Sequence, residues 1–423
     1  MGKIVKSGLV NIRSITVGIN AEDRQKDYMV KSISAFMHNS KKIFNENDVD
    51  VRTTRLSITP LNSHRNFSRA SARSIVGWVS DLCGQVGIRW FCIPFDLSET
   101  NFDSKRLLVA NDIITRFPNA FINLIVARDN KINHKGVLDA AKFIRTTSLL
   151  SNNGFDNFRV GLSCNCKPHT PFFPFSYHSG NDGFSIALET VDLFIDVIQR
   201  RINQGVEAVR EELIELLGTE LLKIDRLAKK VELETELIYL GLDASLAPFP
   251  NGNTSVAKII ELLGVEDIGS SGTLFFTSFL TNIIKNTIGN SKVRITGFNG
   301  VMFSLLEDDI LALRAKQRNF NLDSLILYSS VCGCGVDMVP VPGDILDEEI
   351  AAITMDVAGL SITLNKPLGL RILPIPNKNK NEITDFNHDF LVDSRIMSVK
   401  DRAYSSEAFR ASEFNYLDEY DLR

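Results

Sequence analysis

The stretch VRTTRLSITPLNSHRNFSRASARSIVGWVSDLCGQVGIRWFCIPF, residues 51–95, decides the fold class. Its first part, Val51–Thr59, alternates apolar and polar residues as a β-strand does, and Pro60 ends it. Ser68–Leu82 has the apolar spacing of a helix. Gly87–Phe95 is a dense apolar run, typical of a strand buried in a sheet or barrel. A strand, a helix and a second strand in this order predict an α/β fold.

The same alternation continues in both directions along the chain. Further strands are predicted at Ile12–Asn20, Ala120–Ala127, Phe158–Cys164, Gly183–Leu188, Ile238–Ala244, Val336–Val341, Ser361–Asn365 and Leu368–Ile375. Helices are predicted at Ala21–Ile43, Ser104–Phe117, Lys135–Leu150, Val206–Val231, Gly272–Lys285, Glu307–Arg318, Leu322–Ser329 and Asp347–Ala358. This pattern favours a largely parallel sheet or barrel. No Gly/Ser/Pro linker divides the chain, so we expect one large domain, 1–400, followed by a charged tail, 401–423.

Composition excludes several classes of function. The 423 residues are 44% hydrophobic and 23% charged, which is close to the globular average and predicts a full core. A formal net charge of -4 argues against a nucleic-acid surface and against binding to acidic membranes. No signal peptide and no run of ~18 uncharged apolar residues is visible. We therefore expect a cytoplasmic protein.

Four of the six cysteines form two C-x-C pairs, Cys164/Cys166 and Cys332/Cys334. Side chains two residues apart on a strand point to one face, so each pair can present two thiols together. Thiolates serve as nucleophiles or as soft metal ligands, and two pairs together can form a tetrahedral site. The alternative is that all four are small buried apolar residues. Flanking glycines leave the second pair more approachable.

Asp243 and Ser245 come at the end of the predicted strand Ile238–Ala244, where ligands bind in α/β folds. Asp243 can orient a base or bind a cation, and Ser245 can donate to an oxyanion. The alternative is a proline-stiffened turn in which Asp243 accepts local backbone hydrogen bonds. His178 lies in the long aromatic loop Asn165–Asp182 and is a candidate general acid or base. Its alternative is an ordinary loop histidine.

Four cations lie in or beside predicted strands: Arg13, Arg55, Lys366 and Arg371. Long cationic side chains at strand ends can bind a carboxylate or a phosphate, and arginine can do so with two hydrogen bonds. Structural ion pairs with nearby acids are the alternative. The sequence thus predicts an anionic small-molecule ligand without identifying a cofactor.

Several segments, in order along almost the whole chain, resemble an uncharacterised family of cytosolic proteins of bacteria and archaea. That family is grouped with the pyruvate formate-lyase-like, glycyl-radical-enzyme barrel superfamily. The matching segments are Asn11–Ile19, Arg55–Pro60, Asp243–Pro248, Ser255–Lys258, Gly297–Gly300, the set Cys332, Gly335, Asp337 and Met338, and Lys366 with Arg371–Pro374. The resemblance implies a ten-stranded α/β barrel, built as two half-barrels around a central site, in a homodimer. It also places Asn299 among the ligand-binding residues.

The resemblance brings no established activity, but it permits one exclusion. Glycyl radical enzymes keep their radical on a glycine in a C-terminal loop of the type Arg-Val-x-Gly-aromatic. This chain has no such motif, and no glycine follows Leu370. Cys332 fits the family pattern, whereas Cys334 stands where an apolar residue is expected.

We therefore expect a non-radical enzyme that acts on a small carboxylate or phosphate metabolite inside the barrel. Cys332 is then the nucleophile or acid/base, and Asp243 and His178 position groups or relay protons. The arginines hold the substrate's charge, together with Ser245, Asn299 and Lys366. Two alternatives stay open: a ligand-binding regulatory protein on a disarmed enzyme scaffold, and a metal-binding protein that uses Cys, His and Asp ligands.

Overall fold

The computed structural model describes residues 9–21, 26–64, 67–99, 102–129, 131–250 and 252–399. The predicted tail, 401–423, lies outside these ranges. The described strands are β1 (Asn11–Ile19), β2 (Val51–Ile58), β3 (Trp90–Asp96), β4 (Ala120–Arg128), β5 (Lys131–Ile132), β6 (Val160–Cys164), β7 (Gly183–Glu189), β8 (Ile238–Asp243), β9 (Gly335–Pro342) and β10 (Leu368–Ile375). The described helices are α1 (Lys26–Asn45), α2 (Arg69–Val86), α3 (Leu108–Arg116), α4 (His134–Ser148), α5 (Val191–Arg201), α6 (Val206–Glu234), α7 (Val256–Leu262), α8 (Thr273–Ser291), α9 (Asp309–Lys316), α10 (Leu322–Tyr328) and α11 (Asp347–Thr363).

All ten strands belong to one mixed sheet. Its order is β8-β7-β1-β2-β3-β4-β6-β10-β9, and the short β5 pairs with β4. The central strands β1, β2, β3, β4 and β6 run parallel. β7 and β8 run parallel to each other but antiparallel to β1, and β9 and β10 likewise run antiparallel to β6. The α/β class and the single domain are therefore confirmed.

The helix predicted at Ser68–Leu82 shows how capping residues determine where a helix begins and ends. The Ser68 side chain accepts a hydrogen bond from the Ser71 amide at 3.0 Å, so α2 begins with a capped amide. Gly87, with φ of 76°, ends it in the left-handed conformation that glycine adopts without strain. The strand that follows, β3, is buried along nearly its whole length.

One face of the central strands is covered by the connection between β6 and β7, residues 165–182. Ser14 and Thr16 of β1 donate hydrogen bonds to the carbonyl of Pro171 at 3.3 and 3.1 Å. Asn123 of β4 donates to the carbonyl of Ser176 at 3.2 Å. The long aromatic loop predicted from sequence is therefore an internal layer, held by polar side chains on one face of the sheet.

One secondary-structure prediction is wrong, and one helix was missed. Ser361–Asn365 is not a strand, because α11 continues to Thr363 and the Ser361 hydroxyl donates to the carbonyls of Cys164 and Lys366. The β-branched residues in this segment gave a misleading strand signal, and packing against β6 overrides it. The helix α5, Val191–Arg201, was not predicted at all.

The predicted barrel is not confirmed. Within the described residues, no continuous hydrogen-bond ladder joins the two edge strands β8 and β9. The segment between α8 and α9 contacts this part of the sheet through isolated bridges, at Leu242 with Ile295, Leu246 with Val301, and Ser304 with Asp337. The described strands form a ten-stranded mixed sheet.

Candidate functional site

A cavity of about 380 Å³ lies at the edge where β1 to β4 begin and β8 ends. Its walls combine aromatic rings, four arginines and two carboxylates. The lining residues are Arg13, Arg52, Thr53, Arg55, Trp90, Phe121, Phe158, Phe172, Phe173, Phe175, Ala247, Pro248, Phe249, Pro250, Met302, Ser304, Glu307, Cys334, Asp337, Arg371 and Phe390. A mostly apolar pocket with a few convergent polar groups is the usual form of a small-molecule site.

The apolar wall is built largely by the internal loop 165–182. Phe172, Phe173 and Phe175 of this loop are buried, and all three line the cavity. The ring of Phe173 lies 5.4 Å from that of Phe121 on β4. Because the loop is packed against the sheet, this wall has a defined shape.

Two of the cavity's arginines are matched by carboxylates. Arg371 donates from Nε and Nη2 to the two carboxylate oxygens of Asp337 at 2.7 and 2.8 Å. Glu307 lies between Arg371 and Arg13, with N–O distances of 3.7 and 3.8 Å. Burial lowers the pKa of Arg371, but Asp337 and Glu307 more than offset this, so the pKa is raised. These four charges form a neutral cluster.

Arg55 differs from these arginines. Its Nε is buried, and no hydrogen bond or ion pair joins it to another residue in the described part of the chain. Its guanidinium lies 5.2 Å from the centre of the Phe173 ring. Burial, and secondarily the Arg13 cation, lower the pKa of Arg55 to about 9. The Glu307 carboxylate opposes this lowering only in part. An anion entering the cavity would therefore meet a guanidinium that has no hydrogen-bonded carboxylate.

A thiol pair stands in the same wall. Cys334 lines the cavity, and Cys332 lies beside it in the main hydrophobic core. The neighbouring Cys334 thiol lowers the pKa of Cys332; burial opposes this, and Lys366 and the Gly335 amide support it. The Cys332 sulfur and burial raise the pKa of Cys334. Both thiols donate to the Gly335 carbonyl, at 3.9 and 3.7 Å. Negative charge is therefore favoured on Cys332 over Cys334.

Lys366 does not reach the cavity wall. Its Nζ donates to the carbonyls of Ser329 and Ser330 at 2.9 and 3.3 Å, and also to that of Cys332. These carbonyls follow the C-terminus of α10, where a cation is favourable. Lys366 therefore stabilises the turn that carries Cys332 and Cys334, and its charge adds positive potential near the two thiols.

Asp243, Ser245 and Asn299 form a buried network that joins two loops. The Asp243 carboxylate accepts hydrogen bonds from the amides of Ser245, Phe298 and Asn299 at 2.9, 2.7 and 3.1 Å, and from the Ser245 hydroxyl at 2.6 Å. The Asn299 side chain accepts from the Ala244 amide at 3.0 Å. Burial raises the pKa of Asp243, and these donors oppose it. The contacts are structural, and a catalytic role for Asp243 stays a prediction.

His178 lies at the opposite edge of the sheet. It lines a second cavity, about 550 Å³, with Thr59 after β2 and Arg128 at the end of β4. Its amide donates to the Ile58 carbonyl at 2.9 Å, and its ring lies 5.0 Å from that of His169. The structure does not bring His178 together with the arginines and thiols, and its acid/base role stays a prediction.

Of the predicted site residues, the structure brings Arg13, Arg55 and Arg371 into one cavity. Sequence reasoning missed the carboxylates Glu307 and Asp337 and the cavity-facing thiol Cys334 as site residues. Asp337 stood in the motif that carries the family resemblance, which was a usable signal. No such signal marked Glu307. Within the described residues, no group of three or more His, Cys, Asp or Glu side chains is placed to hold a metal ion.

The fold and site define a class: a single-domain α/β protein with an internal, aromatic-lined and cationic cavity. The chain belongs to the family described as "Uncharacterised ACR (DUF711)", whose model matches residues 3–391. The predicted resemblance to an uncharacterised family of bacteria and archaea is thereby confirmed. Its placement in the glycyl-radical-enzyme superfamily stays a prediction.

Relatives named UPF0210 protein cover nearly the whole chain. A protein of Pyrobaculum aerophilum is 24% identical over 419 residues, covering 89% of this chain and 87% of the relative. One from Clostridium perfringens is 22% identical over 406 residues, covering 90% and 89%. One from Carboxydothermus hydrogenoformans is 24% identical over 433 residues, covering 96% and 94%.

Among the described helices, none has the length and apolar character needed to cross a membrane.

Proposed function

We propose that this protein binds a small anionic metabolite in the aromatic cavity and acts on it as an enzyme without a glycyl radical. The observation that carries the proposal is the buried Nε of Arg55, which has no hydrogen-bond partner among the residues that the structure describes. A buried charge is costly unless it is paired, so an unpaired one beside an open volume favours binding of an anion. The cavity volume of about 380 Å³ falls in the range of small-molecule sites.

The charge balance favours a carboxylate over a phosphate dianion. Arg13 and Arg371 are offset by Glu307 and Asp337, and Arg52 at the mouth pairs with Glu189 at 2.7 Å. Arg55 therefore leaves one positive charge to neutralise, which a single carboxylate does. The rings around it suit an apolar body on the same ligand. We infer a monocarboxylate with a small apolar or aromatic part.

Replacing Arg55 with methionine tests this proposal. Benzoate is a suitable probe, and benzamide is its neutral counterpart. Loss of a charge-assisted hydrogen bond worth about 1.5–3 kcal/mol is expected to weaken benzoate binding roughly 10- to 100-fold. Calorimetric titration measures this. Benzamide binding should change little, and the variant should be at least as stable as the unchanged protein because a costly buried charge is removed.

The matched control is Arg145→Met, which removes an arginine from an exposed pair with Asp347 that does not line the cavity. Benzoate affinity should be unaffected there. Equal benzoate affinity in the Arg55→Met and unchanged proteins would contradict the proposal. Binding of carboxylates without conversion of any of them would instead favour the regulatory alternative.

Benzoate affinity should also depend on pH on the alkaline side. Arg55 is a base whose pKa is lowered to about 9, so it is cationic below that pH and loses its charge above it. Benzoate itself stays ionised over this range. Its affinity should therefore be constant near neutrality and fall as the pH rises through about 9. A flat profile to well above this pH, in protein shown to stay folded, would exclude Arg55 as the binding cation.

We further infer that the sheet closes into a barrel through residues 295–304. This segment makes parallel bridges to Leu242 in the edge strand β8 and to Leu246 just after it and, through Ser304, to Asp337 in the other edge strand. The bridges support closure by an irregular segment in place of a regular strand. The homodimer and the cytoplasmic location stay predictions.

A further inference from the structure

The C-x-C turn at Cys332–Cys334 offers more than the single nucleophile expected at Cys332. We propose that Cys334 attacks an electrophilic carbonyl carbon of the bound carboxylate and that Cys332 accepts the proton of Cys334. The proposal rests on the proposed function, because the cavity must hold the ligand by its carboxylate.

The position of the two sulfurs is the first support. Cys334 belongs to the cavity wall, whereas Cys332 is packed in the core and does not line the cavity. A ligand therefore meets Cys334 first. The Gly335 amide lies 3.4 Å from the Cys332 Sγ and donates to it, which stabilises negative charge on that sulfur. The thiol that can touch the ligand and the thiol that can hold the negative charge are different residues.

The backbone holds this turn in place. A Cβ on Gly333 would lie 2.7 Å from the Gly300 Cα, so the two chains touch and only glycine fits. Gly335 has a φ of 93°, and a Cβ there would lie 2.2 Å from the Gly369 carbonyl oxygen. The Gly333 amide donates to the Val301 carbonyl at 2.6 Å. Such close approaches prevent the thiols from shifting away from the cavity.

The other four cysteines provide an internal comparison. Burial raises the pKa of Cys83, Cys92, Cys164 and Cys166, and none of them lines this cavity. Cys164 and Cys166 have the same C-x-C spacing, but the pKa of each is raised. The second pair differs in one member: the neighbouring Cys334, and after it Lys366 and the Gly335 amide, lower the pKa of Cys332, while the pKa of Cys334 is raised.

The step balances without an external oxidant or reductant. The Cys334 sulfur forms a bond to the carbonyl carbon, and the electron pair of the C=O π bond moves to the oxygen. The S–H proton of Cys334 passes to the Cys332 thiolate; both sulfurs lie close to the same Gly335 carbonyl oxygen, at 3.7 Å for Cys334 and 3.9 Å for Cys332. That proton is then available to the new oxyanion, which regenerates the Cys332 thiolate. The substrate class is a small carboxylate that carries a second, electrophilic carbonyl group.

Alkylation by iodoacetate and by iodoacetamide tests the anion site and the reactive thiol separately. Both alkylate a thiol by forming an S–C bond and releasing iodide, but only iodoacetate carries a carboxylate. An ordinary thiolate reacts faster with the neutral reagent. In the reduced, unchanged protein, we expect iodoacetate to be the faster reagent at Cys334, as measured by peptide mass spectrometry over time. Arg55→Met should remove this preference, so that iodoacetamide becomes the faster reagent at Cys334.

Cys332→Ser tests the proton acceptor. Loss of a positioned base is expected to slow alkylation of Cys334 by both reagents about 100-fold. Cys164→Ser, in the other C-x-C pair, should leave the rate unchanged. If the Cys332→Ser protein does not fold, the pH profile of Cys334 alkylation in the unchanged protein serves instead. The rate should fall only as the pH drops through about 6, where Cys332 becomes protonated. Direct ionisation of Cys334, whose pKa is raised, would instead make the rate fall from alkaline pH, and that result would contradict the proposal.

The outcomes distinguish this inference from the proposed function. The thiol inference is wrong, and the proposed function stands, if benzoate binding needs Arg55 but neither reagent labels Cys334. The same holds if Cys334 is alkylated at an unchanged rate in the Cys332→Ser protein. If Cys334 reacts but iodoacetate has no advantage and benzoate does not bind, the anion site is wrong. Labelling of Cys332 before Cys334 would reverse the proposed roles.

Discussion

Replacing Arg371 with methionine is expected to lower the free energy of unfolding by about 3–5 kcal/mol, measured by urea denaturation. Arg371 is buried and donates two hydrogen bonds to the carboxylate of Asp337, which is itself buried. Methionine fills much of the same volume but leaves Asp337 as a buried, unpaired charge. The cost comes from that uncompensated carboxylate more than from the loss of the pair.

The chain offers a matched control in the pair of Arg69 and Asp112. Arg69 also donates from Nε and Nη2 to both carboxylate oxygens, at 2.7 and 2.9 Å, but its side chain is 60% exposed. Arg69→Met is therefore expected to cost less than about 1 kcal/mol. The double variant Arg371→Met/Asp337→Leu should recover much of the lost stability. A similar small loss for both single variants would show that the cavity is well solvated.

Asp243→Asn is expected to have the second large effect, a loss of about 3 kcal/mol in the free energy of unfolding. The carboxylate accepts four hydrogen bonds that hold the turn after β8 against residues 298–299. An amide keeps the shape but turns one acceptor into a donor, so it faces N–H and O–H groups that also donate. Each lost hydrogen bond to a charged group costs about 1.5–3 kcal/mol.

Asp308→Asn is the control that separates a structural from a catalytic role for Asp243. Asp308 is equally buried and accepts from the Ser255 hydroxyl and from the amides of Val256, Ala257 and Leu311, and like Asp243 it does not line the cavity. A structural Asp243 predicts similar stability losses in both variants and intact benzoate binding in whatever fraction stays folded. Loss of substrate conversion in folded Asp243→Asn alone would restore the catalytic prediction.

Much of the fold could be predicted from sequence because its signals are local. The alternation in Val51–Thr59 and the capped helix after Ser68 depend on neighbouring residues, and both elements form where expected. The failures have the same origin. Ser361–Asn365 carries β-branched residues that favour a strand locally, but contacts with Cys164, nearly 200 positions away, keep it helical.

The candidate site was predicted only in part. The sequence placed Arg13, Arg55 and Arg371 on strands and indicated an anionic ligand, and the structure brings these three side chains to one cavity. The sequence could not show which of these arginines is paired with a carboxylate, because the partner carboxylates are distant along the chain. Asp337 lies 34 positions from Arg371, and Glu307 follows no strand.

By itself, then, the sequence determined the α/β class, most element boundaries, the family resemblance and the absence of a glycyl-radical motif. The tertiary structure alone decided which charges are neutralised and which thiol faces the cavity. Local periodicity predicts which face of a strand is buried, but it does not predict which carboxylate will pair with a buried arginine. That depends on strand order, which leaves the buried Nε of Arg55 without a hydrogen-bond partner among the described residues.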